Sequence, residues 1–126
     1  MATAAVVAAM LGAEAAHAEG SFNTTISRWL TGKESRHWTD KNLDSTATTV
    51  KFSGCSTSST SFRSATLQLK RKRENLPDPV LDRHDNTCNT SNFGRQGSGS
   101  YYFNLSRING SDSGLHLNVN SVTVTY

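Results

Sequence analysis

The chain has 126 residues, 35% of them hydrophobic and 18% charged, with a formal net charge of +3 and two cysteines. That length allows one domain around one modest core. The small basic excess, without interleaved aromatics, argues against a dedicated nucleic-acid binder, and no apolar run reaches the roughly 20 residues of a membrane-spanning helix.

In chain order, residues 1–18, "MATAAVVAAMLGAEAAHA", form an alanine-rich apolar run closed by Ala16-His17-Ala18, the small-x-small pattern of a signal-peptidase site. The reading is a cleaved signal peptide and a mature start at Glu19, although no Lys or Arg precedes the run and Glu14 interrupts it. An N-terminal helix of the folded domain is the alternative. Removing the leader leaves 108 residues and a net charge of +4. A secreted, extracellular chain meets an oxidising compartment, so Cys55 and Cys88 are expected to form a disulfide. Residues 19–25, "EGSFNTT", begin polar and are expected to be a flexible arm that orders on a partner. Phe22, Ile26, Trp29 and Leu30 would supply the apolar contacts of that N-terminal segment. The alternative is a first strand with a frayed end.

A β-sandwich domain is expected over residues 26–126. Val50 and Phe52 alternate with Thr49 and Lys51; Leu67 and Leu69 alternate with Thr66, Gln68 and Lys70; Tyr101, Phe103 and Leu105 alternate with Tyr102, Asn104 and Ser106. Period two with one apolar face is the mark of half-buried antiparallel strands. In "LHLNVNSVTVTY" the parity changes, since Leu115, Leu117 and Val119 are odd while Val122, Val124 and Tyr126 are even. A bulge near Asn120-Ser121 would turn both sets to the core, with a bend there as the strand passes between sheets. Six to eight strands in a single small antiparallel sandwich follow, of jelly-roll or immunoglobulin-like type, with one disulfide.

The basic run Lys70-Arg71-Lys72-Arg73 extends the parity of Leu67 and Leu69, so the core face is expected to end at Leu69 and the cations to project past the sheet before Asn75, Pro77, Asp78 and Pro79 force a turn. Arg71, at the parity of the leucines, has the best claim to a fixed contact. The run reads either as a solvated strand end or as a partner-binding patch.

No complete catalytic, cofactor or metal motif is found, and the chain reads as a non-enzyme. His84 and Cys88 with Cys55 make a poor zinc set once the sulfurs are paired. Asp40-Lys41-Asn42-Leu43-Asp44 starts like a calcium loop, but Ser45 and Lys51 stand where an EF-hand needs Gly and Glu, which leaves a looser loop calcium site or an Asx-rich turn as the alternatives. "DRHDN", Asp82 to Asn86, reads as solvated charge pairing. Trp29, Trp38, Phe93, Tyr101 and Tyr102 are candidates for stacking on a glycan.

Taken together, "SRHWTDKNLDSTATTVKFSGC", "SATLQLKRKRENLPD", a second Cys, "NFGRQGSGSYYFNLSRING" and a terminal "VNSVTVTY" resemble small exported proteins of Streptomyces and related actinobacteria. The resemblance extends to the small β-sandwich adaptor subunit of umbrella toxin particles. It implies a secreted, non-catalytic adaptor in an extracellular, antibacterial assembly, whose partners are a large repeat-bearing toxin subunit and a lectin-like subunit, with no nucleic acid and no membrane span. A glycan- or cell-wall-binding module is the second reading. A protease inhibitor with "KRKREN" as bait loop is the third.

Overall fold

The structure, a computed structural model, describes residues 20–126. The signal peptide expected at residues 1–18 and the first residue of the expected arm, Glu19, lie outside the described residues. Eight strands follow in order: β1 (Ser21–Trp29), β2 (Trp38–Asp40), β3 (Thr49–Thr57), β4 (Ala65–Arg71), β5 (Val80–Asn86), β6 (Thr90–Asn92), β7 (Gly99–Ile108) and β8 (Leu117–Thr125). They form two four-stranded sheets, β1-β8-β3-β6 and β2-β7-β4-β5, with every ladder antiparallel.

The order has a simple logic. β1 pairs with β8, β2 with β7, β3 with β6 and β4 with β5, which makes one long ribbon doubled back at the β4–β5 hairpin. Rolling the ribbon up brings β3 onto β8 and β4 onto β7. This is a jelly roll, the first of the two sandwich types expected from sequence.

The alternating residues fill the space between the sheets. Val50, Phe52, Leu67, Leu69, Tyr101, Phe103, Leu105, Leu117, Val119, Val122 and Val124 are each no more than 1% exposed, and burial of each such side chain stabilises the fold by about 1.5–3 kcal/mol before chain entropy is set against it.

Both apolar triplets of the last strand do face the core. Thr24 pairs with Val122 and Ile26 with Val119, so β8 takes three steps where β1 takes two, and the extra residue falls at Asn120-Ser121. On the other side β3 stays in step, from Ser53↔Ser121 to Cys55↔Val119, and switches parity at the same level through Gly54. Gly54 has φ 72°, and a Cβ there would come within 2.5 Å of the Asn120 amide. The expected passage of β8 between sheets does not occur. Because both neighbours absorb the shift, the strand keeps its place in one sheet.

Residues 21–25 are a paired edge strand rather than a free arm: Ser21 to Thr24 run in register with Thr125 to Val122, and Gly20 and Tyr126 exchange backbone hydrogen bonds of 3.0 and 2.9 Å. The apolar side chains of β1 account for this. Ile26 is 3% exposed, the Phe22 ring lies 6.0 Å from that of Trp38, and the Trp29 ring lies 6.0 Å from that of Phe103.

Cys55 in β3 and Cys88 after β5 form the disulfide, with Cα atoms 5.9 Å apart. Fully buried Asn86 shapes the turn that carries Cys88, accepting from the backbone of Cys88 and Asn89 at 2.9 and 3.1 Å and donating to the Asn89 carbonyl and the Ser91 hydroxyl at 2.9 and 3.0 Å. Among the described residues no helix is long and apolar enough to cross a membrane.

Candidate functional site: the β4–β5 hairpin

The tip of the ribbon carries the most distinctive surface. β4 leaves the core after Leu69, and its backbone is held to the end: the Arg71 amide donates to the Pro79 carbonyl at 3.3 Å, and that of Lys72 donates to the Ser100 carbonyl at 2.8 Å. Asn75, at φ 58°, and the two prolines turn the chain. Asp78 then ties the turn down. Its carboxylate accepts from the Arg73 amide at 2.9 Å and from the Tyr102 hydroxyl at 2.5 Å. The hairpin therefore bends onto the outer face of the second sheet rather than standing free.

Tyr102 is the anchor on that face. Its ring is 3% exposed and stacks on His37 at 4.3 Å. Burial, reinforced by the bond to Asp78, pushes the phenol well above its ordinary pKa. The same bond, then the Arg73 amide, then the charges of Lys72 and Lys70 hold the Asp78 carboxyl below the usual carboxylate range, against a smaller desolvation effect.

The four cations are not equivalent. The guanidinium of Arg71 lies over Gly99, where a Cβ would come 2.8 Å from Nε, and it donates to the Ser98 carbonyl at 2.9 Å. Half-buried Lys70 holds Nζ 5.9 Å from the Tyr102 ring centre. Lys72 and Arg73 are exposed. Among the described residues, no carboxylate stands at salt-bridge distance from any of the four.

Arg71, Lys72, Arg73, Glu74, Pro79 and Leu81 line an open concavity of about 450 Å³. Five large aliphatic side chains are exposed in the described residues, and three of them, Leu76, Val80 and Leu81, belong to this hairpin. Unpaired cations beside wet aliphatic surface can attract an acidic partner and then hold it by burying apolar area.

The remaining expected site residues lie elsewhere. Phe22, Ile26 and Trp29 are spent on the core side of β1, which is in the other sheet, and Leu30, 52% exposed, stands just past the end of β1. The structure thus does not bring the apolar N-terminal set and the basic run onto one strand or sheet. Leu76, Val80 and Leu81 were missed by sequence reading, although an adjacent Val80-Leu81 pair next to two prolines cannot place both side chains in a half-buried strand.

Other candidates resolve into structural roles. Asp40 and Asp44 accept from the amides of Asn42 and Thr46 at 2.7 and 2.8 Å, closing local turns. His84 sits 3.1 Å from Asp82, and Asp85 accepts from the Thr66 hydroxyl at 2.6 Å. Trp38, Phe93, Tyr101 and Tyr102 are at most 4% exposed, so none of them offers a face for a sugar ring.

The molecule is a small disulfide-linked jelly roll whose β4–β5 hairpin brings exposed cations and exposed aliphatic side chains together. No family model, curated protein sequence or solved structure matches the chain.

Proposed function

We propose that the protein is a secreted, non-catalytic interaction module, an adaptor in an extracellular and antibacterial assembly, and that it docks through the β4–β5 hairpin. The observation that carries this reading is the meeting of unpaired Lys72 and Arg73 with exposed Leu81 around one concavity, on a hairpin that also exposes Leu76 and Val80. Its partner is a protein surface that offers carboxylates around an apolar side chain. The resemblance to umbrella adaptor subunits supports the same role, with a large toxin subunit and a lectin-like subunit as partners. A glycan-binding role finds little support in the aromatics, since four of the five candidates are buried.

The test is affinity purification of the tagged protein from culture supernatant, followed by mass spectrometry. A stoichiometric acidic partner is expected with the native chain and should be lost from a Lys72→Glu/Arg73→Glu/Leu81→Ser variant that remains folded by circular dichroism. Recovery of monomer alone overturns the adaptor role, and a partner that stays bound to the variant moves the docking surface elsewhere.

A further inference from the structure

We propose that the tip Lys72-Arg73-Glu74 is a cleavage site for an extracellular trypsin-like serine protease, and that the cut yields a stable two-chain protein. Two independent features lead there. The first is access. Such proteases seat a Lys or Arg side chain against an acidic group in their specificity pocket, and they need the flanking backbone to open into the cleft. Residues 72–77 are all exposed, and past the Lys72 amide the backbone ties before Asp78 are local ones, the turn at Glu74–Asn75 and the bond from the Arg73 amide to the Asp78 side chain. Three other basic loop residues carry ties of their own. The Arg63 amide donates to Asn109 Oδ1 at 2.6 Å and its guanidinium to the Asn109 carbonyl at 3.2 Å, Arg95 donates to Asn42 at 2.9 Å, and the Lys33 carbonyl accepts from the Leu105 amide at 2.9 Å.

The second feature is what the cut would leave. Cleavage after Arg73 separates β1–β4 from β5–β8. All six ladders of the two sheets run between those halves: β1 and β3 to β8, β3 to β6, β2 and β4 to β7, and β4 to β5. Neither half owns a ladder between its own strands, and the disulfide also joins one half to the other. Hydrolysis breaks one C–N bond and consumes one water; the Arg73 carbonyl becomes a carboxylate and the Glu74 nitrogen a free amine. Every sheet contact stays in place.

Brief digestion of the folded protein with dilute trypsin tests this. The first product should weigh one water more than the substrate, run as one band without reductant and as two with it, end at Lys72 or Arg73, and keep the β-sheet dichroism. A Lys72→Ser/Arg73→Ser variant that folds by circular dichroism should fail to give that product. First cuts after Lys41, Arg63 or Arg95 overturn the proposal. So does loss of the β-sheet spectrum while the disulfide is intact, or stoichiometric inhibition of trypsin without cleavage. The adaptor role is judged separately, by partner recovery.

Discussion

Gly54 and Asp78 show how single residues hold this fold in shape. Gly54 occupies the left-handed region opposite Asn120, so Gly54→Ala adds both backbone strain and a collision with a side chain whose Cβ cannot move away. A loss of about 2 kcal/mol in urea denaturation is expected. Asp78 holds the hairpin turn through a carboxyl whose pKa is lowered on folding, first by the Tyr102 hydroxyl and then by the Arg73 amide. A group of that kind contributes its stability above the unfolded carboxylate pKa near 4 and loses it as pH falls through its own lower value. Protection of the Arg73 amide from hydrogen exchange, corrected for intrinsic rate, should therefore be level from pH 7 to about 5 and decline below about 4. Asp78→Asn should remove that acid step, and a step that survives in the variant would point to another carboxyl.

Among the elements, the β4–β5 hairpin separates two kinds of basic side chain. Lys72→Ser with Arg73→Ser should change stability by no more than about 0.5 kcal/mol, as at ordinary surface sites, yet slow association with an acidic partner in a salt-dependent way. Arg71→Ser should cost about 1 kcal/mol, because it removes a hydrogen bond to Ser98 and the cover over Gly99. Equal losses from both variants would mean that Arg71 is as free as its neighbours. Sequence parity singled out Arg71, and it also revealed the bulge in β8, since a period of two leaves only one way to bury both Leu117 and Val122. The order in β1 was harder to read. Phe22 and Ile26 keep one parity and Trp29 breaks it, because β1 takes three steps to two of β8 between Ile26 and Trp29, where Arg28 sits at φ 53°. An irregular edge strand looks like an arm until its partner is known. The exposed aliphatic part of the hairpin was hidden for a related reason, in that exposure of Leu76 and Leu81 depends on how the hairpin bends onto Tyr102.

For the whole molecule, the disulfide closes a separation of 33 residues between the two halves of the ribbon. Cys55→Ser with Cys88→Ser should lower stability by about 3–4 kcal/mol on the chain-entropy estimate, a large share of what a domain of this size has. Thermal unfolding of the double variant beside the native chain checks it, and an unchanged midpoint would show that the ladders alone constrain the fold. The pairing of each strand with one from the opposite half has a further effect, on timing. β8, which lies between β1 and β3, is the last strand to be made, and β2 and β4 wait for β7. A chain emerging from its N-terminus therefore has no two strands to pair until β5 appears beside β4, and it cannot close its first sheet until residues 117–125 exist. Contacts this distant in sequence form slowly. The chain consequently stays threadable until β8 is made, and only then can it commit to its folded shape.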